Sequence, residues 1–222
     1  MILNIIKPKG ITSHDVINKV RRITGERRVG HGGTLDPLAQ GVLVVAVGRD
    51  STKKLEPLLK DADKEYIATI ELGKISTTDD AEGEIEISGD ASPISEKQIM
   101  SALQEFTGKI RQTPPVFSAI KIKGKPAYKL ARRGKPVELK ERTVQVKEIE
   151  LINFRPPLFT IRTLVSSGTY IRSLARDIGK ALGVGGYLKE LVRTRVGDFH
   201  IEDSVTLDEL ANKTDLGDTK SV

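Results

Sequence analysis

The sequence predicts an α+β protein in which helices pack on a mixed, largely antiparallel sheet. Strand-like segments, with alternating or continuous apolar residues, are joined by short polar turns, which is typical of antiparallel pairing. Segments with helical apolar spacing lie between them, so both kinds of element contribute to the core. A chain of 222 residues can form one domain, or one domain with a small appendage.

The first part of the chain predicts one helix and several strands. Ser13 is placed to cap a helix whose apolar residues recur at helical spacing and which ends near Gly25. The apolar run 42–47 predicts a buried strand, and the alternation over 66–72 predicts a second one. Residues 77–87 have the pattern of a polar turn followed by a short strand.

The rest of the chain is predicted to continue with helices and strands in turn. Ser95 and Gln98 have the spacing of a capping box and predict a helix that extends to Gly108. The elements expected after it are a strand over 116–122, a basic helix and loop ending at Gly134, strands near 144–152 and 159–165, and a helix over 169–182.

Composition excludes several classes of chemistry. The chain has no cysteine and only three histidines, which leaves no thiolate nucleophile, no disulfide framework and almost no ligands for zinc. We therefore expect no metal site. The longest apolar run is too short to cross a bilayer, and the apolar start of the chain is too short for a signal segment. These features predict a cytoplasmic protein with no membrane segment.

Charge is distributed unevenly along the chain. Residues 1–60 carry 11 lysines and arginines against 5 acidic residues, and residues 108–200 carry 20 against 7. Residues 61–107, between them, carry 3 against 12. A fold that brings the two basic segments together would present a positive surface to a polyanion. For any single basic side chain, the simpler interpretation is that it solvates the surface.

A glycine-rich stretch at residues 30–40 leads directly into the apolar strand and contains one carboxylate, Asp36, and one imidazole, His31. Loops at the end of a buried strand are where rigid scaffolds place reactive groups. Taken alone, Asp36 before a proline is an ordinary turn opener, Tyr66 on an alternating strand is an ordinary core residue, and Arg172 is an ordinary surface residue. The wider sequence pattern changes these interpretations.

Blocks spread over the chain resemble, in order and in spacing, the TruB family of tRNA pseudouridine synthases. They are residues 7–13 (KPKGITS), 30–39 (GHGGTLDPLA), 64–66 (KEY), 114–121 (PPVFSAIK), 127–132 (AYKLAR) and 168–174 (GTYIRSL). A less specific stretch, residues 191–197, is similar to the last block of the family. The resemblance runs from about Lys7 to about Phe199, so it covers a whole domain and not one motif.

The resemblance implies the pseudouridine synthase fold, with flanking helices and a central RNA-binding cleft. It also implies the reaction. The T-loop uridine of tRNA, position 55, is flipped out and isomerised by cleaving the C1′–N1 bond and rejoining the base through C5. No atom enters or leaves and no redox step occurs, so we expect no cofactor. The carboxylate can act as a nucleophile or as a base that removes a ribose proton, and the sequence leaves both routes open.

Family roles carry over to this sequence residue by residue. The resemblance makes Asp36, Arg172 and Tyr66 the catalytic set, in which the carboxylate reacts, the arginine pairs with it and the tyrosine stacks on the flipped base. His31 would enter the RNA loop in the place of the flipped nucleotide. The further residues expected to contact RNA or the base are Tyr170, Leu191, Lys121, Lys129, Arg132, Arg133 and Arg193. Arg193 would either support the site or touch phosphate.

The same resemblance predicts the domain organisation. Residues 1–203 would form the catalytic domain, with a mobile, basic thumb at about 118–140 that also contains Lys123 and Lys135. Residues 204–222 would be a short C-terminal tail, vestigial or truncated, because most of the RNA-binding module usual in bacterial members is missing.

The function expected from these residues is that of a stand-alone isomerase, a monomer that acts on the tRNA T-arm without a guide RNA. Two alternatives stay open: a non-catalytic RNA-binding or RNA-folding protein with the same fold, and a guide-RNA-dependent member of the superfamily. The presence of Asp36, Tyr66 and Arg172 favours the enzyme. The pattern around Ser118 and Tyr128 resembles the stand-alone bacterial type.

Overall fold

The computed structural model describes residues 1–122, 124–134 and 136–218. Its strands are β1 (Ile2–Lys7), β2 (Val29–Gly32), β3 (Gln40–Val47), β4 (Lys64–Leu72), β5 (Lys74–Ser76), β6 (Ile85–Ile87), β7 (Gly108–Gln112), β8 (Lys121–Ile122), β9 (Lys125–Pro126), β10 (Arg142–Arg155), β11 (Leu158–Val165), β12 (Gly186–Val196) and β13 (Phe199–His200). Its helices are α1 (Ser13–Thr24), α2 (Arg49–Leu59), α3 (Glu96–Glu105), α4 (Ala127–Ala131), α5 (Ile171–Ala181) and α6 (Leu207–Asp218), with a 3-10 turn at Ile201–Asp203.

The chain divides into two compact units. Unit 1 comprises residues 1–67 and 191–222, and unit 2 comprises residues 68–190. The strands β4 and β12 each contribute residues to both units. Most strand pairs are antiparallel, whereas β12 runs parallel to β3. The predicted α+β class with a mixed, mainly antiparallel sheet is therefore confirmed.

Unit 1 has β3 at the centre of its core. One face of β3, through Leu43 and Val45, packs against α1 and α6. The opposite face, through Val42 and Val44, packs against α2. Because successive side chains of a strand point to opposite faces, the unbroken apolar run over 42–47 is what a strand buried on both faces requires.

The first helix is capped by the residue next to the predicted one. Thr12, and not Ser13, is the N-cap of α1: its hydroxyl accepts the Asp15 N–H (3.0 Å), and the Asp15 carboxylate accepts the Thr12 N–H (2.8 Å). Ser13 is used instead by Leu35, 22 residues further along the chain. The predicted end is confirmed, since Gly25 closes the helix in the left-handed conformation, with φ 66°.

Unit 2 contains the strand order β12-β4-β11-β10-β7, with β10 antiparallel to both β11 and β7. The capping box predicted for α3 is present between Ser95 and Gln98. The helix ends at Glu105, earlier than predicted, because Gly108 begins β7 with a φ of 92°, a conformation that suits glycine.

The strand predicted over residues 116–122 is wrong. Only its last two residues are paired, where β8 meets β9. Pro114 and Pro115, just before it, lack the N–H groups that a strand ladder needs. The carbonyls of Thr113 and Phe117 accept hydrogen bonds from arginines of α5, so they are not free for a neighbouring strand.

The last predicted helix corresponds to α5. It starts at Ile171, two residues later than predicted, with Tyr170 as its N-cap residue, and it buries Leu174, Ala175 and Ile178. Within the three described ranges, no helix is long and apolar enough to span a membrane.

Candidate functional site

Residues 33–39, here called the Asp36 loop, connect β2 to β3 in unit 1. Leu35, Leu38 and Ala39 are buried and attach the loop to the core, whereas Asp36 is half-buried. The Asp36 carbonyl accepts the Ala39 N–H at 3.1 Å and so closes a turn around Pro37. The loop therefore holds one carboxylate directly before the buried strand β3.

The segment that follows β1 fixes both sides of this loop. The Ser13 hydroxyl donates to the Leu35 carbonyl and accepts the Leu35 N–H, both at 2.9 Å. The Gly10 N–H donates to the Pro37 carbonyl at 2.8 Å. Leu35 and Pro37 are the two neighbours of Asp36 in sequence, so these contacts restrict the backbone on either side of the carboxylate.

Lys7 is a buried charge in contact with the same loop. It is 0% exposed, and its ammonium donates to the carbonyls of Ile11 (2.6 Å), Pro8 (2.9 Å) and Pro37 (3.4 Å). A buried ammonium is tolerated where such hydrogen bonds replace its hydration. Lys7 belongs to the family block at residues 7–13, but nothing local in the sequence indicates that it reaches Pro37.

Arg193 connects the first residue of the Asp36 loop to β3. Its side chain is 1% exposed; Nε donates to the Val42 carbonyl (2.8 Å) and Nη2 to the Gly33 carbonyl (2.9 Å). At Gly41, which has φ 108°, a Cβ would collide with the Arg193 carbonyl, so glycine is needed for the approach of β12 to β3. Of the two roles expected for Arg193, this burial agrees with support of the loop.

His31 lies on β2 and not in the loop itself, opposite Val45 of β3. It is half-buried, and its Nδ1 atom is buried without a hydrogen-bond partner. Burial, together with the positive charge of Arg193, lowers the pKa of His31 below its ordinary value of 6.5. The imidazole is therefore uncharged at neutral pH.

Lys64 and Tyr66 begin β4 in unit 1. Tyr66 is 6% exposed, and Leu191, at the start of the β12 segment in this unit, is 8% exposed. Lys64 is half-buried and donates to the Ala62 carbonyl at 3.2 Å; burial and then the charge of Arg193 lower its pKa. A Cβ at Gly33 would contact both Lys64 and Arg193, so two cations lie against the start of the Asp36 loop.

Arg172 lies in the first turn of α5 in unit 2 and is 6% exposed. Its guanidinium donates to the carbonyls of Thr78 (3.2 Å) and Phe117 (3.0 Å) and forms an ion pair with Asp80 (3.4 Å). It is thus a buried arginine oriented by three fixed acceptors and not an ordinary surface residue. Its pairing with Asp36 stays a prediction.

Asp80 is a buried carboxylate that the sequence analysis did not single out. It is 2% exposed, and its Oδ1 atom accepts the Thr78 hydroxyl (2.5 Å) and the Glu82 N–H (3.0 Å). It belongs to residues 77–83, here called the acidic turn, which the sequence analysis described only as a polar turn. Two adjacent aspartates in this turn are a weak signal, since most such pairs are solvated.

Tyr170 is fixed through its backbone at the start of α5. The Gln112 side chain, 1% exposed, accepts the Tyr170 N–H (2.9 Å) and donates to the Tyr170 carbonyl (3.0 Å). The Arg142 guanidinium lies over the Tyr170 ring, 4.7 Å from its centre. The aromatic ring expected to contact RNA therefore already carries a cation on one side.

The predicted basic thumb contains the short helix α4. Lys121, Lys129, Arg132 and Arg133 are all exposed, and Arg132 lies over the Tyr128 ring at 5.7 Å. Lys123 and Lys135, which the sequence analysis placed in the same segment, lie outside the described residues. Exposed, unburied cations of this kind are suited to contacts with phosphate.

Each unit thus holds its own group of preorganised residues. Unit 1 holds the half-buried Asp36 carboxylate on a loop that is attached at several points. Lys64 and Arg193 lie against the start of this loop, and the uncharged His31 imidazole lies on the strand before it. Unit 2 holds a buried, oriented guanidinium, an aromatic side chain and an exposed basic segment. A fixed carboxylate of this kind can act as a nucleophile or a base, and the cations can bind a polyanion.

Comparisons with protein families match residues 21–220 of the chain. Residues 21–171 match the N-terminal domain of TruB family pseudouridylate synthase, and residues 172–220 match the C-terminal domain of tRNA pseudouridylate synthase B. The chain is 50% identical over 218 residues to tRNA pseudouridine synthase B of Thermobifida fusca. This alignment covers 95% of this chain and 74% of that protein. It is 47% identical over 219 residues to the protein of the same name from Mycobacterium tuberculosis strain H37Rv, covering 97% and 73%.

Solved structures agree with this match. A crystal structure of a Cbf5-Nop10-Gar1 complex aligns with all of this chain at a TM-score of 0.78 and 34% identity. A structure of an H/ACA RNP bound to a substrate RNA containing 2′-deoxyuridine aligns at 0.74 and 32%. The chain spans 56% and 55% of the length of these two structures' matching chains.

Proposed function

Because this chain belongs to the TruB family of pseudouridylate synthases, we propose that it is a tRNA pseudouridine synthase that isomerises the T-loop uridine at position 55. The observation that carries the proposal is the Asp36 loop. Its carboxylate is flanked on both sides by residues that Ser13, Lys7, Gly10 and Arg193 hold in place. An isomerase that needs no external reagent depends on such a placed group.

The reaction requires one placed carboxylate and no further reagent. The C1′–N1 bond of the uridine breaks, a C1′–C5 bond forms, a proton leaves C5 and N1 takes one up. Asp36 attacks the C1′ carbon or the uracil base as a nucleophile, or it removes a ribose proton to give a glycal before the base is rejoined. Both routes need the ionised carboxylate, and Arg172 is the cation assigned to keep it charged.

The substrate is an RNA whose target base must leave its stack. Tyr66, nearly buried on β4, provides the ring on which the flipped uracil stacks, since an aromatic face restores part of the lost stacking energy. His31, uncharged at neutral pH, takes the position that the nucleotide leaves. Tyr170 and Leu191 contact the base or RNA, and the exposed cations Lys121, Lys129, Arg132 and Arg133 contact phosphate.

The enzyme works alone, as a monomer in the cytoplasm, on the T-arm of tRNA and without a guide RNA. The relatives that are about half identical to the chain carry the name tRNA pseudouridine synthase B. The structures named for ribonucleoprotein or multiprotein complexes are more distant, at 32–34% identity. The sequence around Ser118 and Tyr128 also resembles the stand-alone type.

The test is conversion of an unmodified tRNA transcript by the purified protein alone. Pseudouridine is mapped by carbodiimide treatment and primer extension, with a transcript that carries cytidine at position 55 as the matched control. We expect a stop at position 55 in the first transcript and none in the second. Binding without any modification would favour a non-catalytic RNA-binding protein, and activity that appears only with added guide RNA would favour a guided enzyme.

A further inference from the structure

Two arginines one helical turn apart on α5 hold the same acidic turn. Arg172 contacts Thr78 and Asp80, and Arg176 contacts Asp79, the residue between them. The first arginine belongs to the candidate site, whereas the second has no role in the function proposed above. The spacing of four residues places both side chains on one face of the helix.

Arg176 uses all three nitrogens of its guanidinium. Nη1 forms an ion pair with Asp79 Oδ2 (2.8 Å), Nη2 donates to the Thr113 carbonyl (2.9 Å), and Nε donates to Asp177 Oδ1 (2.9 Å). It therefore links the acidic turn to the segment after β7, whose Phe117 carbonyl also accepts from Arg172. The Arg172 guanidinium therefore contacts both linked segments: Thr78 and Asp80 on the acidic turn, and Phe117 on the segment after β7.

Asp79 holds an unusual backbone conformation for its side chain. Its φ is +63°, in the left-handed region that non-glycine residues rarely adopt. The turn is kept in this state by the Asp79 N–H bond to the Ser76 carbonyl (3.1 Å), by the Leu188 N–H bond to the Asp79 carbonyl (3.0 Å) and by the ion pair with Arg176. A strained residue between two functional acceptors marks a place where surrounding contacts decide the geometry.

We propose that Arg176 and Asp79 form a positioning pair that sets the orientation of Arg172 for catalysis. Without Arg176, the half-buried Asp79 carboxylate loses its ion-pair partner and keeps only the charge of Arg172 nearby. The acidic turn then relaxes from its left-handed conformation. The Thr78 carbonyl and Asp80 then move, and the Arg172 guanidinium moves with them. The pair thus acts on the reaction through Arg172, and this inference rests on the proposed function.

The surroundings of Arg176 permit a specific test. Its side chain is 29% exposed and lines a cleft of about 460 Å³ together with Phe106, Arg111, Thr113, Glu141, Asp177 and Lys180. A small guanidinium compound can therefore reach the gap that Arg176→Ala would leave. Arg172, at 7% side-chain exposure, offers no such access.

The experiment measures the single-turnover rate of pseudouridine formation and the affinity for tRNA in the full chain. The variants are Arg176→Ala, Asp79→Asn, which keeps the shape of the side chain, and the double variant. Arg162→Ala is the matched control, since it removes an arginine of unit 2 that pairs with Glu148 and Glu150 at the surface. Urea unfolding of each variant reports loss of folding separately from loss of rate.

We expect both single variants to lower the rate by about 10- to 100-fold, the effect of a small misplacement of a reacting group, while the affinity for tRNA stays unchanged. The double variant should be no slower than the slower single variant, because the pair acts as a unit. Ethylguanidinium should restore part of the rate of Arg176→Ala and none of the rate of Asp79→Asn. Arg162→Ala should keep the wild-type rate.

Several results would contradict the positioning role proposed for Arg176 and Asp79. These are a wild-type rate in Asp79→Asn, additive losses in the double variant, or a rate of Arg176→Ala that ethylguanidinium leaves unchanged. If Arg176→Ala fails to fold, Asp79→Asn decides alone. An inactive wild-type protein would contradict the proposed function and not the pair, so the two failures are distinguishable.

Discussion

Replacing Arg193 with methionine tests how the Asp36 loop is held. Methionine keeps most of the aliphatic volume but removes the donors to the carbonyls of Val42 and Gly33. Val42 is fully buried, so its carbonyl loses a partner that water cannot replace, whereas Gly33 is exposed and can be hydrated. One buried acceptor left unpaired costs about 1–3 kcal/mol, and we expect the free energy of unfolding to fall by that amount in urea titrations.

The same substitution should be visible at His31. The charge of Arg193 is one of the causes that lower the His31 pKa, after burial, so its removal must raise that pKa. The chain has only three histidines, which makes an NMR titration of the imidazole protons simple to assign. Arg195→Met, two residues along the same strand, is the control and should leave the His31 pKa unchanged. An unchanged His31 pKa together with unchanged stability in Arg193→Met would refute the role given to Arg193.

Three further predictions concern stacking, charge and acid stability. Tyr66→Phe should keep RNA affinity, whereas Tyr66→Leu should lose about 1–3 kcal/mol of binding energy; equal loss of activity in both would assign the main role to the hydroxyl. Neutralising Lys129, Arg132 and Arg133 together should reduce the slope of log affinity against log salt by up to about 3, and an unchanged slope would remove this segment from the RNA interface. Burial alone would raise the pKa of Glu71, but hydrogen bonds from two lysines and a tyrosine bring it to about 2 from 4.5. The stability it contributes is therefore present above pH 4.5 and lost as the pH falls toward 2; Glu71→Gln should flatten that loss in acid unfolding, and an unchanged acid limb would contradict the assignment.

Local pattern was sufficient for the elements whose signal lies within one segment. The apolar run of β3 and the end of α1 at Gly25 were predictable because burial and a left-handed closing residue leave direct marks in sequence. The N-cap of α1 was not predictable, since Thr12 and Ser13 are adjacent hydroxyl residues and either could cap the helix by local pattern. Ser13 hydrogen-bonds to Leu35, 22 residues away, so Thr12 caps the helix instead.

Contacts between residues far apart in the sequence could not be predicted from local pattern. Arg193 lies 160 residues after Gly33, and Lys7 lies 30 residues before Pro37, so no periodicity or motif spacing connects these pairs. Asp80 and Arg176 were missed for the same reason, because each looks like a solvated charge until α5 packs beside the acidic turn. The prediction of a strand over 116–122 failed because Arg172 of α5, 55 residues further along the chain, takes the Phe117 carbonyl that a strand ladder would use.

The central claim, that Asp36 is the reacting group of a tRNA pseudouridine synthase, is tested most directly by Asp36→Asn under single-turnover conditions. Asparagine has the same shape but can neither attack C1′ nor accept a proton comparably, so the rate should fall by several orders of magnitude while the affinity for tRNA stays unchanged. Mass spectrometry of the variant excludes deamidation back to aspartate. Pseudouridine formation at the wild-type rate by the intact Asn variant would contradict the account.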